Sequence, residues 1–371
     1  MSLVVIFRNL PPDAGGAATI IRNLFEFADD TVTIVGRKSR YPMDYLTTQY
    51  NKVEIPLSDR PESKWLKLKY FVQSILICLK VIRQTHTKNI LGVYRDESSL
   101  ILSYLVSLLS GKPLFVYLTD LYAENYGSKK KQYLQKLIFK RAKSIFCLNQ
   151  AMKNHYVAAG YKQVEVIPST VPEILPLKTR VFDGEVFKIA FSGSIIYDRL
   201  DLLQMLVRII GNNPAYQLLL FSPHDEFFLK SNDLYASNVT CEFVNSPKLL
   251  LKKLQQCDLL YLPLTFNKPD NHRSYLQLKT CLGTKSYEYM QTGVPILVHS
   301  PAEYYTYQFF ESSKSAIMLN SNKEDDLNAK INEIKSNYLL FEEKVMNAHK
   351  QLLNHKAKPN LIQLIRLINN S

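Results

Sequence analysis

The sequence contains little cysteine, no long uninterrupted apolar run and fewer acidic than basic residues. Its five cysteines are scattered, with no CxxC pair and no zinc-finger spacing, which excludes a disulfide-rich scaffold and favours a reducing compartment. The longest apolar run, residues 70–82, contains Gln73 and Lys80 and is too short to span a bilayer. The N-terminal residues lack the apolar core of a signal peptide. We therefore expect a cytoplasmic protein whose contact with the inner face of the cell membrane would be peripheral.

The 371 residues carry 46 basic and 33 acidic side chains, a net charge of +13, and 46% of them are hydrophobic. This length indicates two domains, each with its own core. The excess of positive charge leaves three kinds of partner open, namely nucleic acid, an anionic membrane surface or a phosphate-bearing substrate. Charge alone does not separate them.

Short β-branched and aromatic segments alternate with longer helical segments, which predicts an α/β fold with parallel sheets covered on both faces. A proline-rich segment, residues 168–184, breaks the alternation and predicts a linker. We expect two Rossmann-like domains, residues 1–176 and 177–340, and C-terminal helices, residues 341–371, interrupted at Pro359. The predicted strands are residues 3–7, 31–35, 89–94, 114–118, 144–148 and 163–167, then 187–192, 216–221, 239–244, 257–262 and 294–299.

Small-residue turns after strands are candidate anion sites, because their backbone N–H groups are open to a ligand and the next helix presents its positive end. The first turn contains Gly15 and Gly16 and lacks the spacing of a dinucleotide fingerprint, so NAD is disfavoured. An ordinary βα loop is the alternative. The second turn contains Gly193, Ser194 and Arg199, a combination that suits a phosphate held by backbone and a cation. The alternative for Arg199 is a solvated side chain at a helix start.

The third turn, residues 281–298, has the sequence CLGTKSYEYMQTGVPILV. Thr284 or Ser286 is expected to cap a short helix, with Lys285 beside the cap and Glu288 in the first turn. Such a helix end suits a diphosphate, and a neighbouring carboxylate suits a sugar diol. The alternative is that Glu288 is only the capping-box partner of the cap residue.

Taken in order, these motifs resemble the retaining glycosyltransferases of the GT-B fold, in the GT4-like group that builds bacterial surface polysaccharides. The resemblance rests on the two glycine turns and on the string KSYEYMQTGVPILV after CDLLYLPL, and it covers nearly the whole chain. Its most specific part is the E-Y-M-x-x-G-x-P core. It implies two Rossmann-like domains facing across a cleft, the first on the acceptor side and the second binding the nucleotide sugar. The C-terminal helices would cross back to the first domain.

The resemblance also implies roles for individual residues. Glu288 matches the glutamate that binds the ribose diol, and the backbone around Gly283 matches the diphosphate seat. Asp120 matches an acceptor-half residue that faces the anomeric centre, and an N-cap after a strand is its alternative role. The implied donor-binding residues are Gly16, Gly193, Ser194, Gly283, Thr284, Ser286 and Glu288. The implied catalytic residues are Asp120, Arg199 and Lys285, with Gly15 and Glu124 on the acceptor side.

The chain departs from the family pattern at two places. Thr280 stands where members with the full acidic motif carry a second glutamate, eight residues before the ribose-binding one. The Arg and Lys pair that clamps the diphosphate is not cleanly reproduced, and Lys279, Lys285 or Arg273 are candidates to supply the missing cation.

The sequence thus predicts a hexosyltransferase that moves a sugar, with retention, from a UDP-linked donor to a glycan or polyprenyl-linked acceptor in surface-polysaccharide synthesis. No cofactor is expected, and no metal, since the chain has no Asp-x-Asp pair. The basic helix at residues 129–141 would lie on an anionic membrane, or is an ordinary helix with a solvated basic face. Two other functions stay open: a sugar-nucleotide 2-epimerase of the same fold, and a nucleic-acid binder that rests on charge alone.

Overall fold

The structure is a computed structural model that describes residues 2–11, 15–39, 49–57, 63–126, 128–177, 182, 184–267 and 272–371. Its strands are β1 Leu3–Asn9, β2 Val32–Arg37, β3 Asn51–Glu54, β4 Asn89–Tyr94, β5 Leu114–Leu118, β6 Ser144–Cys147, β7 Val164–Val166, β8 Phe187–Ser192, β9 Tyr216–Phe221, β10 Val239–Glu242, β11 Leu259–Pro263, β12 Ile296–His299 and β13 Ile317–Leu319. Its α-helices are α1 Gly16–Leu24, α2 Lys64–Gln84, α3 Glu97–Ser110, α4 Tyr122–Tyr126, α5 Lys129–Arg141, α6 Gln150–Ala158, α7 Tyr197–Ile210, α8 Glu226–Ser231, α9 Pro247–Leu254, α10 His272–Thr280, α11 Thr284–Met290, α12 Tyr305–Ser312, α13 Glu324–Ser336, α14 Glu342–Leu352 and α15 Ala357–Asn369. None of the helices in these ranges is long and apolar enough to cross a membrane.

The chain forms two compact units, each built around its own sheet. Unit 1 comprises Met1–Glu173 and His355–Ser371, and unit 2 comprises Ile174–Asn354. All the strand pairs described in both sheets are parallel. The predicted α/β fold with two Rossmann-like halves is confirmed.

The sheet of unit 1 has seven strands among the described residues, in the order β3-β2-β1-β4-β5-β6-β7. Its inner strands are buried on both faces; all five residues of β5 are buried, for example. Strands covered on both sides need apolar residues at every position, which explains why LFVYL has no polar alternation. Helices follow the strands at short distances, and local side chains cap α2, α3 and α6; at the start of α3, for example, Asp96 accepts the N–H of Ser99 at 2.9 Å.

The sheet of unit 2 has six strands among the described residues, in the order β10-β9-β8-β11-β12-β13. All five residues of β11 and all four of β12 are buried. Helix α7 contributes Leu202, Leu203 and Leu206 to the same core, at the spacing of one helix face. The strand order reverses between β8 and β11, a feature that positions the site described below.

Two strands, β3 and β13, were not expected from the sequence. Strand β3 is largely exposed and has the sequence NKVE, so it carries no apolar signal, and β13 is only three residues long. Both lie at sheet edges, where pairing with one neighbour suffices. Strand existence there is decided by tertiary pairing and not by local sequence.

The expected interruption of the C-terminal helices at Pro359 is wrong. Pro359 lies inside the first turn of α15, where a backbone N–H has no helical partner and proline is tolerated. The break between the last two helices falls at residues 353–356 instead. Helix α14 packs against α11 within unit 2, so the part of the tail that returns to unit 1 begins at His355. There α15 contacts α1 and buries Leu361, Leu364 and Ile368.

Candidate functional site

The strand-order reversal of unit 2 lies between β8 and β11. Strands β9 and β10 continue on one side of it, and β12 and β13 on the other. In open parallel sheets, loops at the carboxyl ends of the strands that flank such a reversal form the ligand crevice. The turn that contains Gly193 and Ser194 follows β8 directly and lies at this edge.

The turn after β8 packs against Lys285. Gly193 has a φ of +131°, which side-chain-bearing residues rarely adopt, and its N–H donates to the carbonyl oxygen of Phe221 at 3.0 Å. A Cβ placed on Gly193 would lie 3.8 Å from the Cγ and Cε atoms of Lys285. The structure therefore brings together the second and third predicted turns, which are far apart in the sequence.

Arg199 lies in the first turn of α7 and is held by two contacts. Its Nη1 donates to the carbonyl oxygen of Ser194 at 3.1 Å, and its Nη2 is 3.7 Å from Oδ2 of Asp198. The side chain is 24% exposed, so a freely solvated arginine is not what the structure shows. A cation at the N-terminal end of a helix is repelled by the partial positive charge of the helix dipole. This position favours an anion that the cation and the helix end can share.

Lys285 and Glu288 form an ion pair on α11, with Nζ and Oε2 2.7 Å apart and the two side chains 30% and 23% exposed. The expectation that Thr284 or Ser286 caps this helix is wrong: the N-cap is Gly283, and no side chain bonds there. Glu288 also lies beyond the first turn. The capping-box alternative for Glu288 is therefore excluded, because a glycine cap has no side chain to complete the box.

Tyr289 ties α11 to β8. Its hydroxyl accepts the N–H of Ser192 at 2.7 Å and donates to the carbonyl oxygen of Tyr261 at 3.4 Å. Burial raises the pKa of the Tyr289 phenol, so the hydroxyl stays neutral and keeps its proton for the second bond. Sequence reasoning passed over this residue, because a tyrosine one position from Glu288 looks like any core aromatic on a helix.

Among the described residues, four buried polar atoms at these strand ends and first turns have no hydrogen-bond partner. They are the hydroxyl oxygens of Ser192, Ser222 and Ser286 and Oδ1 of Asp198. Buried polar groups in folded proteins are nearly always bonded to protein, water or a ligand. Burial also raises the pKa of Asp198, although the neighbouring Arg199 opposes the shift. The described residues at the carboxyl edge of this sheet thus include buried polar atoms that form no hydrogen bond with other described residues.

Lys279 and Thr280, two residues at the positions where the sequence departs from the family pattern, lie on α10 and contact residues of that same helix. The Nζ atom of Lys279 lies 4.6 Å from the ring centroid of Tyr275. Thr280 is buried, and its hydroxyl donates to the carbonyl oxygen of Leu276 at 3.0 Å, one helical turn back. The side chain of Arg273 lies outside the described part of the structure. Of the candidate cations whose side chains are described, Arg199 and Lys285 contact the turn after β8.

In unit 1, the first predicted turn leads into α1. Gly15 is the N-cap residue, with a φ of +111°, and Gly16 is the first residue of the helix. Both are exposed, and no atom lies within 4 Å of a Cβ placed on Gly15. The left-handed backbone at Gly15, and not crowding, is what favours glycine there. Residues 12–14 of the same turn lie outside the described residues.

Asp120 follows β5, and its Oδ1 accepts the N–H of Leu121 at 2.8 Å. Helix α4 begins at Tyr122, so Asp120 precedes it by two positions instead of occupying the cap expected in the alternative role. Burial raises the pKa of the Asp120 carboxyl, while the Leu121 N–H and the charge of Arg95 act in the opposite direction. The residue thus lies at the carboxyl edge of the unit 1 sheet with an elevated proton affinity.

Glu124 on α4 is bound to side chains of two other helices. Its Oε1 accepts from Gln135 at 2.7 Å and lies 3.9 Å from Nε2 of His155, and its Oε2 accepts from the hydroxyl of Tyr156 at 3.2 Å. Burial would raise the pKa of this carboxyl, but the bonds from His155 and Gln135 outweigh burial and hold the pKa below its usual value. Glu124 therefore braces α4 against α5 and α6 as an anion.

The whole chain is similar to solved glycosyltransferase structures. Sucrose-phosphate synthase from Thermosynechococcus elongatus matches with a TM-score of 0.72 and 14% identity, covering 100% of this chain and 98% of that chain. HepE from Anabaena, solved with UDP-glucose, matches with a TM-score of 0.73 and 13% identity, covering 100% of both chains. The chain has the GT-B fold. The predicted architecture is confirmed, and at these identities the similarity establishes the fold alone.

A protein from Listeria monocytogenes described as a candidate UDP-N-acetylglucosamine 2-epimerase is also similar. Its TM-score is 0.60 at 11% identity, and the match covers 98% of this chain and 94% of that chain. No protein-family model matches the sequence, and no curated protein matches it. The activity must therefore be argued from the chemistry of the site.

Proposed function

We propose that the chain is a retaining hexosyltransferase of GT4-like type that moves a sugar from a UDP-linked donor to a glycan or polyprenyl-linked acceptor in cell-surface polysaccharide synthesis. One observation carries the proposal. At the strand-order reversal of unit 2, the Gly193 turn meets the Lys285–Glu288 ion pair, with Arg199 fixed against the same turn. Backbone, two cations and a carboxylate are the groups that a nucleoside diphosphate sugar requires.

The donor roles follow from charge and backbone geometry. The two cations, Lys285 and Arg199, neutralise the diphosphate, and the backbone of Gly193 and Gly283 approaches it closely, because neither residue has a side chain. Glu288 accepts hydrogen bonds from the ribose diol. The HepE structure, which has the same fold, holds UDP-glucose, which supports a UDP-linked donor.

The chemical step needs no protein nucleophile. The acceptor oxygen approaches the anomeric carbon on the face from which the diphosphate departs, so the configuration is retained. Its bond to that carbon forms as the bond from the carbon to the diphosphate oxygen breaks; the nucleoside diphosphate leaves with the electron pair, and the proton of the acceptor hydroxyl passes to the departing diphosphate oxygen. Negative charge grows on the diphosphate in the transition state, where Arg199 and Lys285 stabilise it. Metal independence stays a prediction from the missing Asp-x-Asp pair, and undiminished turnover in excess EDTA is the expected result.

The acceptor side is assigned to unit 1. Asp120, whose carboxyl has a raised pKa, is the candidate to accept a hydrogen bond from the acceptor hydroxyl and orient it. Gly15 and Gly16 contribute an exposed helix start. Glu124 acts by holding α4, which follows Asp120 in the chain, through its bonds to the neighbouring helices. A polyprenyl-linked acceptor would be met at an anionic membrane surface, where the basic α5 contributes attraction.

The proposal is tested by nucleotide binding and by product analysis. UDP and UDP-glucose should raise the melting temperature, since a ligand at a hundred times its Kd adds about 2.7 kcal/mol of stability. Arg199→Gln should weaken UDP but leave uridine binding, because only UDP has the diphosphate. Arg208→Gln is the matched control on the same helix, since Arg208 pairs with Glu324 at 2.9 Å. Equal losses for UDP and uridine would refute the cation assignment.

A sugar-nucleotide 2-epimerase is the second candidate, favoured by the Listeria monocytogenes similarity. The two activities differ in their products: a transferase releases free nucleotide in step with a glycosylated acceptor, whereas an epimerase returns an intact nucleotide sugar with an inverted carbon. Proton NMR of the product distinguishes them, and the anomeric coupling in the transferred sugar reports retention. A nucleic-acid binder rests on the +13 net charge and no other observation.

A further inference from the structure

Helix α2 of unit 1 exposes an unusual set of side chains. Its buried residues, Ser74, Cys78, Val81 and Ile82, lie on the face that packs toward α3. Each exposed residue of the helix is apolar, cationic or glutamine. These exposed residues are Lys64, Trp65, Lys67, Leu68, Lys69, Val72, Gln73, Leu76, Lys80, Arg83 and Gln84.

The four exposed apolar residues form one stripe along the helix. Trp65, Leu68, Val72 and Leu76 are 81%, 54%, 45% and 60% exposed, and their spacing of three, four and four residues places them on a single face. The stripe is about 17 Å long at about 1.5 Å per residue. A water-facing helix surface normally carries polar residues at such positions. The stripe is thus a second apolar face, separate from the one that packs into the core of unit 1.

Cations surround this stripe, and α2 contains no acidic residue. Lys69, Lys80 and Arg83 are exposed beside it, and Lys64 and Lys67 lie at its N-terminal end. None of the five has an ion-pair partner among the described residues. A second copy of the chain docked helix to helix would bring like charges together, which is unfavourable. An anionic surface with an apolar layer beneath it matches both the cations and the stripe.

We propose that α2 is a membrane-docking helix that lies in the interface of an anionic lipid bilayer, with the Trp65–Leu76 stripe inserted among the acyl chains. Amphipathic helices with a cationic polar face bind in this way, and a tryptophan at the end of the stripe prefers the headgroup level. The proposal does not depend on the proposed glycosyl transfer. It assigns membrane contact to residues that the sequence analysis left without a role.

Helix α5, where the sequence predicted membrane contact, is less suited to insertion. It exposes only two large apolar residues, Tyr133 and Leu137, against the four of α2. Lys131 is also engaged, with its Nζ 2.5 Å from Oε1 of Glu97. Helix α5 can add long-range attraction, whereas α2 offers apolar area, the quantity that holds a helix in the interface after the charges have drawn it there.

The chain provides its own reporter, because Trp65 is its only tryptophan. Emission from Trp65 should shift to the blue and increase when the protein meets vesicles of phosphatidylcholine mixed with phosphatidylglycerol. Pure phosphatidylcholine vesicles should give a much smaller change. High ionic strength should reduce the response, since surface charges are screened beyond about 10 Å at about 0.1 M salt.

Variants separate the apolar and the charged contributions. Combined Leu68→Gln, Val72→Gln and Leu76→Gln should lower vesicle partitioning at least about tenfold by flotation. The matched control, Leu249→Gln with Leu339→Gln and Leu340→Gln, removes exposed leucines from unit 2 and should partition like the wild type. Replacing Lys69, Lys80 and Arg83 by Gln should lower partitioning about a hundredfold, or about 2.8 kcal/mol, at about 1 kcal/mol per surface cation.

Four results would overturn the proposal. The first is that the apolar triple variant partitions like the wild type, and the second is that the wild type binds neutral and anionic vesicles equally. The third is that replacing Lys129, Lys130 and Lys136 of α5 by Gln abolishes binding while the α2 variants still bind. The fourth is a dimer in lipid-free solution with Trp65 already shielded, which would assign the stripe to a second copy. UDP-induced thermal shifts, measured on the same variants, should be unchanged. They report the proposed function separately from docking.

Discussion

The phenol oxygen of Tyr289 lies 2.7 Å from the backbone nitrogen of Ser192 and accepts its hydrogen bond. This single contact joins α11, which carries Lys285 and Glu288, to the last residue of β8, which leads into the Gly193 turn. The position of the ion pair relative to the turn therefore depends on a buried tyrosine that need not touch any ligand.

Tyr289→Phe should destabilise unit 2 and weaken UDP binding together. Removing the hydroxyl leaves the buried Ser192 N–H without its acceptor, which costs about 1–3 kcal/mol. Urea unfolding and UDP titration measure the two effects. Tyr307→Phe is the control, since Tyr307 is also buried but no hydrogen bond of its hydroxyl is described. If Tyr289→Phe lost stability but kept wild-type UDP affinity, the hydrogen bond between Tyr289 and Ser192 would stabilise the fold without positioning the nucleotide site.

Glu288→Gln should lower nucleotide affinity about tenfold or more, because a hydrogen bond to a charged group contributes about 1.5–3 kcal/mol and about 1.4 kcal/mol equals one decade. The same change at Glu333 breaks a matched Lys–Glu pair three residues apart on α13. Glu333→Gln should leave affinity unchanged, and calorimetric titration with UDP compares the two. Removing the ribose diol from the ligand should abolish the difference between wild type and Glu288→Gln.

Gly283→Ala should fold normally and bind UDP less well. Gly283 has a φ of −63°, which alanine adopts readily, and a Cβ placed there meets no atom within 4 Å. The added methyl group therefore meets no clash within the protein and occupies space into which a diphosphate would come. Gly184→Ala, where a Cβ makes an ordinary 3.7 Å contact with Phe182, is the control. Unchanged UDP affinity in a folded Gly283→Ala would place the diphosphate elsewhere.

Stability should fall between about pH 6.5 and about pH 4 through His299. This residue is fully buried at the end of β12; its Nδ1 is 2.7 Å from the hydroxyl of Tyr261, and its Nε2 is bonded to the carbonyl oxygen of Ser321. Burial lowers its pKa to about 4, so the folded state holds the neutral ring while the unfolded chain takes up a proton near pH 6.5. The stabilisation present above pH 6.5 is therefore lost as the pH falls, by up to about 3 kcal/mol.

Unfolding free energies at a series of pH values test this linkage. His299→Gln should be less stable at neutral pH, because it breaks the bonds of the ring, but its stability should depend less steeply on pH over this range. Parallel curves for the two proteins would show that His299 does not titrate as its burial requires.

Much of the fold could be predicted from the sequence, because buried parallel strands are continuous apolar runs. The predicted bounds of β4, β5, β8, β9 and α5 are those of the structure. The edge strands β3 and β13 could not be found in this way, since their pairing with one neighbour is a tertiary effect. The predicted interruption at Pro359 is wrong because proline breaks a helix only beyond its first turn, and Pro359 lies within the first turn of α15.

The candidate site was predictable as a set of turns but not as an arrangement. Glycine and charge at positions 193, 199, 285 and 288 are visible in the sequence, yet the approach of Lys285 to Gly193 depends on the start of α11 packing against the turn after β8. The Ser286 hydroxyl, expected at the helix cap, is instead buried and has no hydrogen-bond partner in the described part of the chain. A serine in a short helix carries no signal of which way it faces, so its burial had to come from the structure.

The return of α15 to unit 1 has a consequence for the order in which the protein can mature on the ribosome. The backbone N–H of Val171 donates to the carbonyl oxygen of His355 at 2.8 Å, and that of Ala357 donates back to Val171 at 3.0 Å, so the outgoing and returning chain segments run side by side. Unit 2 is a continuous stretch, complete once Asn354 has been made. Unit 1 waits until α15 has been synthesised, because Leu361, Leu364 and Ile368 of this helix complete its core. Unit 1 is thus begun before unit 2 and finished after it, and a premature stop codon after Asn354 would damage the domain whose sheet is encoded upstream of unit 2.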